Sequence, residues 1–225
     1  MPVAVIADAH LGGPGGSGKD LAEQLGKLDS GRCARVLFLG DLFHLWIGSR
    51  RFETPEIRRL AATIRGLRRR GIRVSYVEGN RDFFLADGAY GDLFDDCGRE
   101  VSFYAEGVRY LAVHGDGLNP RDWRYRCWRR LSKNAASRWL AFRLPRAVGS
   151  RLVASTERGL ARTNLQHKAR IPGAVIRRYA AHRLAEGNDV LLLGHFHASR
   201  RWAVGEGEVR IADAWFHDRK LLWLG

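Results

Sequence analysis

Five times between Val3 and His197 a short aliphatic run ends in a block of Gly, Asp, Asn or His. Val3 to Ala7 leads into Asp8-Ala9-His10, Val36 to Leu39 into Gly40-Asp41, and Val74 to Val77 into Gly79-Asn80-Arg81-Asp82. Tyr110 to Val113 leads into His114-Gly115-Asp116, and Val190 to Leu193 into Gly194-His195-Phe196-His197. Runs this short and mainly apolar suit strands buried on both faces. Asp20 to Leu28 and Pro55 to Arg70 have helical composition, the second opening on Thr54-Pro55-Glu56, an N-cap followed by Pro at the first helical position. The order strand, loop, helix predicts an α/β fold with its polar blocks at the carboxyl ends of strands, where such folds place their sites. Arg200 to Val204, a Gly205-Glu206-Gly207 turn, Val209 to Ala212 and Lys220 to Leu224 read as antiparallel strands.

With 225 residues, 45% of them hydrophobic, the chain suffices for one sizeable core. We expect a single domain, 1–225, with a basic insertion at 119–187. The net charge is +14, and it is localised. Arg121 to Arg178 holds 16 Lys or Arg against only Asp122 and Glu157, so the remainder is neutral. A patch of this kind seeks phosphate, an anionic membrane or nucleic acid. The stretch is nearly free of Gly and Pro except at Leu144-Pro145, Gly149, Gly159 and Ile171-Pro172-Gly173, and reads as three helices broken at the prolines. On the first, Trp128, Leu131, Ala135, Trp139 and Phe142 share one face, ringed by Arg129, Arg130, Lys133, Arg138 and Arg143. That helix reads either as a lid or as a surface helix packed on the body. Cys33, Cys97 and Cys127 indicate neither a disulfide framework nor a zinc ribbon. The N-terminus has no secretory pattern and no apolar stretch is long enough to span a bilayer, so a cytoplasmic location is expected.

The polar blocks supply Asp8, His10, Asp41, Asn80, His114, His195 and His197, enough donors for two adjacent metal ions. Asp8 and His10 are two apart, so on extended chain both leave one face; His195 and His197 repeat the spacing. Asp41 is expected to bridge two cations. One ion then takes Asp8, His10, Asp41 and His197, the other Asp41, Asn80, His114 and His195. The absence of thiolate favours Mn²⁺, Fe²⁺ or Zn²⁺ over copper. Paired ions activate a water for attack on phosphorus, without a covalent nucleophile.

The order Asp-x-His, Gly-Asp, Gly-Asn-x-Asp, His-Gly-Asp and Gly-His-x-His resembles the calcineurin-like metallophosphoesterases along nearly the whole chain. That resemblance implies a four-layer αββα sandwich. Most of that superfamily carries His after the Asn; Arg81 here resembles the UDP-2,3-diacylglucosamine hydrolases of bacterial lipid A biosynthesis. Those enzymes use Mn²⁺ and cleave a pyrophosphate to release UMP and 2,3-diacylglucosamine 1-phosphate. Arginine stabilises negative charge but does not release a proton, which suits a phosphate leaving group. Asp41, Asn80, Arg81 and His114 are the expected catalytic residues, with Arg81 oriented by the neighbouring acid. By the same resemblance Asn80, Arg81, Asp122 and His195 contact an acylated UDP-sugar. Tyr125, Arg129, Leu144-Pro145 and Arg151 also follow that pattern. The chain departs from it at Gly117-Leu118-Asn119, in place of Thr-Leu-Cys. Leu160 and Asn164 stand where a serine and a lysine are expected, Lys168 being the replacement.

The basic, tryptophan-rich insertion suits acyl chains, a pyrophosphate and an anionic leaflet, which implies a peripheral place on the cytoplasmic face of the inner membrane. A different nucleotide diphosphate conjugate or phosphodiester is an alternative substrate. A non-catalytic scaffold holding nucleic acid is the alternative of another class, though basic residues interleaved with large apolar ones suit lipid better, and no nucleic-acid partner is expected. His44 is expected to support Asp41 from behind, and His167, His182 and His217 to be surface or packing residues. Gly12 to Gly18 lacks the Gly-Lys-Ser/Thr ending of a phosphate loop and reads as a loop beside the metals.

Overall fold

The structure, a computed structural model, describes residues 1–12, 18–143 and 171–225. Its strands are β1 (Val3–Ile6), β2 (Arg35–Phe38), β3 (Trp46–Ile47), β4 (Arg73–Val77), β5 (Asp82–Phe83), β6 (Asp96–Gly98), β7 (Glu100–Ala105), β8 (Val108–Val113), β9 (Val190–Leu193), β10 (Arg200–Val204), β11 (Gly207–Ile211) and β12 (Leu222–Leu224). Two five-stranded sheets result, ordered β12-β1-β2-β4-β6 and β10-β11-β9-β8-β7. The four strands β1, β2, β4 and β6 are parallel, as are β8, β9 and β11, and antiparallel strands close three of the four edges.

The runs are mainly apolar because both faces of these strands are covered. Val3 and Val5 of β1 and Leu37 of β2 meet Val101, Phe103, Ala112 and Leu192 of the second sheet. The alternate residues Ala4, Ile6, Val36 and Phe38 face helices instead. Those helices are α1 (Gly18–Gly26), supplying Leu21 and Leu25, and α2 (Pro55–Arg69), supplying Ile57, Leu60 and Ile64. Thr54 caps α2 as its sequence requires, its Oγ1 accepting from Ile57 N at 3.2 Å. On the second sheet Leu191 and Leu193 turn outward to Ile176 and Ala180. The layers run helix, sheet, sheet, helix, the four-layer αββα sandwich expected from the resemblance.

Among its described residues the basic stretch gives α3 (Trp123–Ser132), α4 (Ala135–Arg143) and α5 (Gly173–Leu184), followed near the end of the chain by the short α6 (Trp215–Asp218). Two expectations change here. The first helix is divided, because Asn134 Oδ1 accepts from Ser137 N at 2.8 Å and so caps a new helix. The apolar stripe divides with it: Trp128 and Phe142 turn to Phe83 and Phe84, each at 6.2 Å between ring centroids, while Leu131 is 71% and Trp139 57% exposed. Helix α5, for its part, carries Ile176 and Ala180 and supplies the outer layer of the second sheet. Leu144-Pro145, Gly149, Arg151, Gly159, Leu160, Asn164, His167, Lys168 and much of the Gly12 to Gly18 segment lie outside the described residues.

The terminal strands also part company. β10 and β11 form the expected hairpin, but β12 crosses to the first sheet, where Leu224 pairs with Val3. β7 was not anticipated. It alternates exposed and buried residues and returns into β8 through Glu106 and Gly107, whose φ values of 49° and 83° are the left-handed pair a tight hairpin needs.

Candidate metal centre

β1, β2 and β4 lie side by side in one sheet, β8 and β9 in the other, and the polar blocks follow the carboxyl ends of all five. The candidate ligands therefore gather at one end of the sandwich, across the seam between its sheets. Their local geometry is not the extended chain expected. Asp8, His10, Asp41, His195 and His197 have φ of 48°, 46°, 51°, 68° and 50°, all left-handed. Asp and His tolerate this region better than most residues, but five such positions in one site are stored strain held by the surrounding loops. The loops brace each other: Asp8 N donates to Gly40 O at 3.2 Å and His10 N to Asp41 O at 3.1 Å. Gly40 itself is required, having φ 86° and a position where a Cβ would strike the His114 ring.

Two clusters result. In one, His197 Nε2 lies 3.2 Å from His10 Nε2 and 3.1 Å from Asp8 Oδ1. In the other, Asp8, Asp41 and His114 bring ligand atoms within 4.8 Å of one another. His114 Nε2 is there 3.3 Å from Asn80 Oδ1 and 3.7 Å from Asp41 Oδ1. His195 joins this side, its ring 5.1 Å from that of His114, and its backbone N donates to Asp8 Oδ2 at 2.7 Å. All seven predicted ligands thus meet. Asp8 is common to both clusters, and Asp41, expected to bridge, stands in one of them, its Oδ1 also accepting from Arg81 N at 2.8 Å.

The donor chemistry fits cations. His114 Nδ1 lies 2.8 Å from the Leu39 carbonyl, and donating to it leaves the Nε2 lone pair facing two further oxygen acceptors. Asp41 Oδ2 is buried without a hydrogen-bond partner among the described residues. Acceptors converging in a buried site need positive charge between them. Burial opposes the charge of Asp8, but the His197 hydrogen bond and the surrounding imidazoles hold its carboxyl well below the usual range. Burial likewise disfavours the His114 cation, yet Asp41 and Asp8 outweigh it and lift that imidazole above its ordinary value.

The supporting residues differ in part from expectation. Asp82 does not orient Arg81; its Oδ2 accepts from Asp41 N at 2.9 Å and Gly79 N at 2.8 Å, fixing two ligand loops to each other. Burial and then the Asp41 charge push Asp82 up to about 7. Arg81 is held by His44, its Nη1 donating to that residue's carbonyl at 3.0 Å, so His44 supports Arg81 where support of Asp41 was expected. Asp122 is exposed and caps α3 through Tyr125 N at 3.0 Å. His217 has a partner: Nδ1 lies 2.8 Å from Asp213 Oδ1, and its ring is 6.1 Å from that of His197. His182 pairs with Glu186 on the surface.

Three contributors were missed. Phe216 packs on the rings of His10 and His197 at 5.8 and 5.1 Å. Asp116 accepts from Arg129 Nη1 at 2.6 Å and from Tyr125 Oη. Lys133 Nζ donates to Gly79 O at 2.6 Å. Asp116 alone left a signal, since it completes the His-Gly-Asp block.

Residues 1–199 match the calcineurin-like phosphoesterase family. Among curated proteins, a UDP-2,3-diacylglucosamine hydrolase of Azotobacter vinelandii is 32% identical over 209 residues, covering 88% of this chain and 82% of its own. Another so named, from Pseudomonas putida, is 32% identical over 202 residues, covering 87% and 81%. One from Vibrio vulnificus is 30% identical over 177, covering 75% and 69%. Among solved structures, a protein of unknown function from Aquifex aeolicus superposes with a TM-score of 0.51 at 15% identity, covering 99% of this chain and 95% of its own, a likeness of fold. With converging acceptors at the ends of five strands and this match along most of its length, the chain belongs to the calcineurin-like phosphoesterases, a family of metal-dependent hydrolases.

Proposed function

We propose that this protein hydrolyses the pyrophosphate bond of UDP-2,3-diacylglucosamine, releasing UMP and 2,3-diacylglucosamine 1-phosphate, with two divalent cations of which Mn²⁺ is the foremost choice. The observation that carries the reading is Arg81, a buried guanidinium whose Nε lies 3.7 Å from Asp41 Oδ2 within the ligand cluster. The names of the relatives support the substrate. One cation would be held by Asp8, His10, Asp41 and His197, the other by Asp41, Asn80, His114 and His195. Bound there, the pair would supply an activated water and neutralise phosphoryl oxygens. The Arg81 guanidinium stabilises the leaving phosphate, which needs no proton. Asp82 keeps the Asp41 and Gly79 loops in register. Asn80, His195, Asp122 and Lys168 are assigned to the substrate.

In this reading the insertion at 119–187 of a single domain, 1–225, serves through α3 and α4 as a basic helical lid that receives the acyl chains, its α5 belonging to the outer layer of the second sheet. It also rests on the cytoplasmic face of the inner membrane. Support comes from Trp123 and Trp139, 65% and 57% exposed, with Arg124 and Arg143 over their rings. Among the described residues no helix is long and apolar enough to cross a membrane.

The test is UMP release by metal-stripped protein, with Mn²⁺ added back and UDP-N-acetylglucosamine run in parallel. Metal-dependent release from the acylated compound alone supports the reading. Equal cleavage of both compounds, or cleavage only of a generic phosphodiester, moves the activity to another nucleotide diphosphate conjugate or diester, as the departure at Gly117-Leu118-Asn119 would favour.

A further inference from the structure

Helix α3 touches both halves of the metal centre. Toward the second sheet, Arg129 and Tyr125 hold Asp116, two residues beyond His114. Toward the first, Lys133 stands at the carboxyl end of α3, where its own N donates to Arg129 O at 2.9 Å and the helix stops. The halt turns its side chain inward. The ammonium lies over the Phe83 ring, 5.0 Å from the centroid, and donates to Gly79 O at 2.6 Å. Both contacts are of the stronger kind, a charge-assisted hydrogen bond and a cation over an aromatic face.

Gly79 is the point where two ligands meet. It precedes Asn80 in the chain, and it is pressed so closely on Asp41 that a Cβ there would fall 2.8 Å from Asp41 N and strike the carboxylate. Its N–H is committed to Asp82 at 2.8 Å, and its carbonyl to Lys133. We propose that Lys133 is a positioning residue of the metal centre: from the basic insertion it fixes the Gly79 carbonyl, and through it the placement of Asn80 for one of the two cations. The inference rests on the two-cation reading above. It makes the insertion part of the catalytic frame as well as a substrate cover, since the same helix end meets the Asn80 loop while the Asp116 latch sets its height. Partners hydrogen-bonded to a ligand typically change metal affinity by ~10–100-fold when lost, and Lys133, acting through the peptide that precedes Asn80, belongs at the lower end of that range.

Calorimetric titration of metal-stripped protein with Mn²⁺ tests this without reference to turnover. The parent is expected to bind two equivalents. Lys133→Met should weaken one equivalent by about 10-fold or more and leave the other unchanged, while Lys133→Arg, which keeps a cation for the Gly79 carbonyl, restores it. Asn80→Ala should weaken the same equivalent, and the double variant should lose little beyond Asn80→Ala alone, because the two act through one loop. If Lys133→Met fails to fold, Lys133→Gln, which removes the charge and keeps a polar tip, takes its place. Two equivalents bound as tightly by the Lys133 variant as by the parent overturn the proposal. So does equal weakening of both, which is what a general loosening of the fold would give. A parent that binds fewer than two equivalents defeats the two-cation reading itself, and the proposal with it, before any variant is compared.

Discussion

At the scale of single residues, the centre is an arrangement of acceptors kept apart by donors from neighbouring loops. Asp41→Asn strips the negative charge from a proposed ligand and His114→Ala removes one, and turnover should fall to background with loss of bound metal, measurable by elemental analysis beside an activity assay. Arg81→Ala leaves every ligand in place, so metal content should stay near the parent's while kcat falls by about 10²-fold, the cost of a lost charge stabiliser. Asp82→Ala acts on the frame. It leaves two buried N–H groups without their acceptor, each costing about 1–3 kcal/mol, and urea unfolding of metal-free protein should move to lower concentration accordingly. The seven residues that gather at the candidate centre were legible because each follows an apolar run. The left-handed backbone that aims them was not, since Asp and His at such positions look in sequence like Asp and His anywhere. Lys133 was hidden in a stretch where one basic residue in three is ordinary, and only the end of α3 singles it out.

Among elements, legibility followed burial. β1, β2, β4, β8 and β9, covered on both faces, announce themselves as aliphatic runs, whereas β7 exposes every second residue and was overlooked although its alternation and Glu106-Gly107 turn were present. Helix α2 was recognised from its cap, and Thr54→Ala should cost about 1 kcal/mol in thermal unfolding by leaving Ile57 N unpaired at the surface of the first sheet. The division of α3 from α4 was missed because the helical period of the apolar residues runs on unbroken across Asn134. Its side chain serves instead as a stop for one helix and a start for the next.

Along the whole chain, the charge falls into a nearly neutral sandwich and a basic stretch. The paired acids of the sandwich set its response to acid. Burial works against ionised Asp96, but Arg35 at 2.7 Å, Ser75 and Arg73 outweigh it and hold the carboxyl below the usual range. A depressed carboxylate contributes stability above its unfolded pKa of about 4 and loses it as pH falls through the folded value. Denaturant midpoints should therefore decline below about pH 4, and Asp96→Asn should flatten that part of the decline.

The seam between the sheets has a further consequence. Asp8, His10, Asp41 and Asn80 ride on one sheet, His114, His195 and His197 on the other, so the layer of Leu37, Leu39, Ala112 and Leu192 between them works as a feeler gauge whose thickness sets the reach from one half of the centre to the other. An interior methylene far from the candidate centre then bears on how its two sides meet as well as on stability.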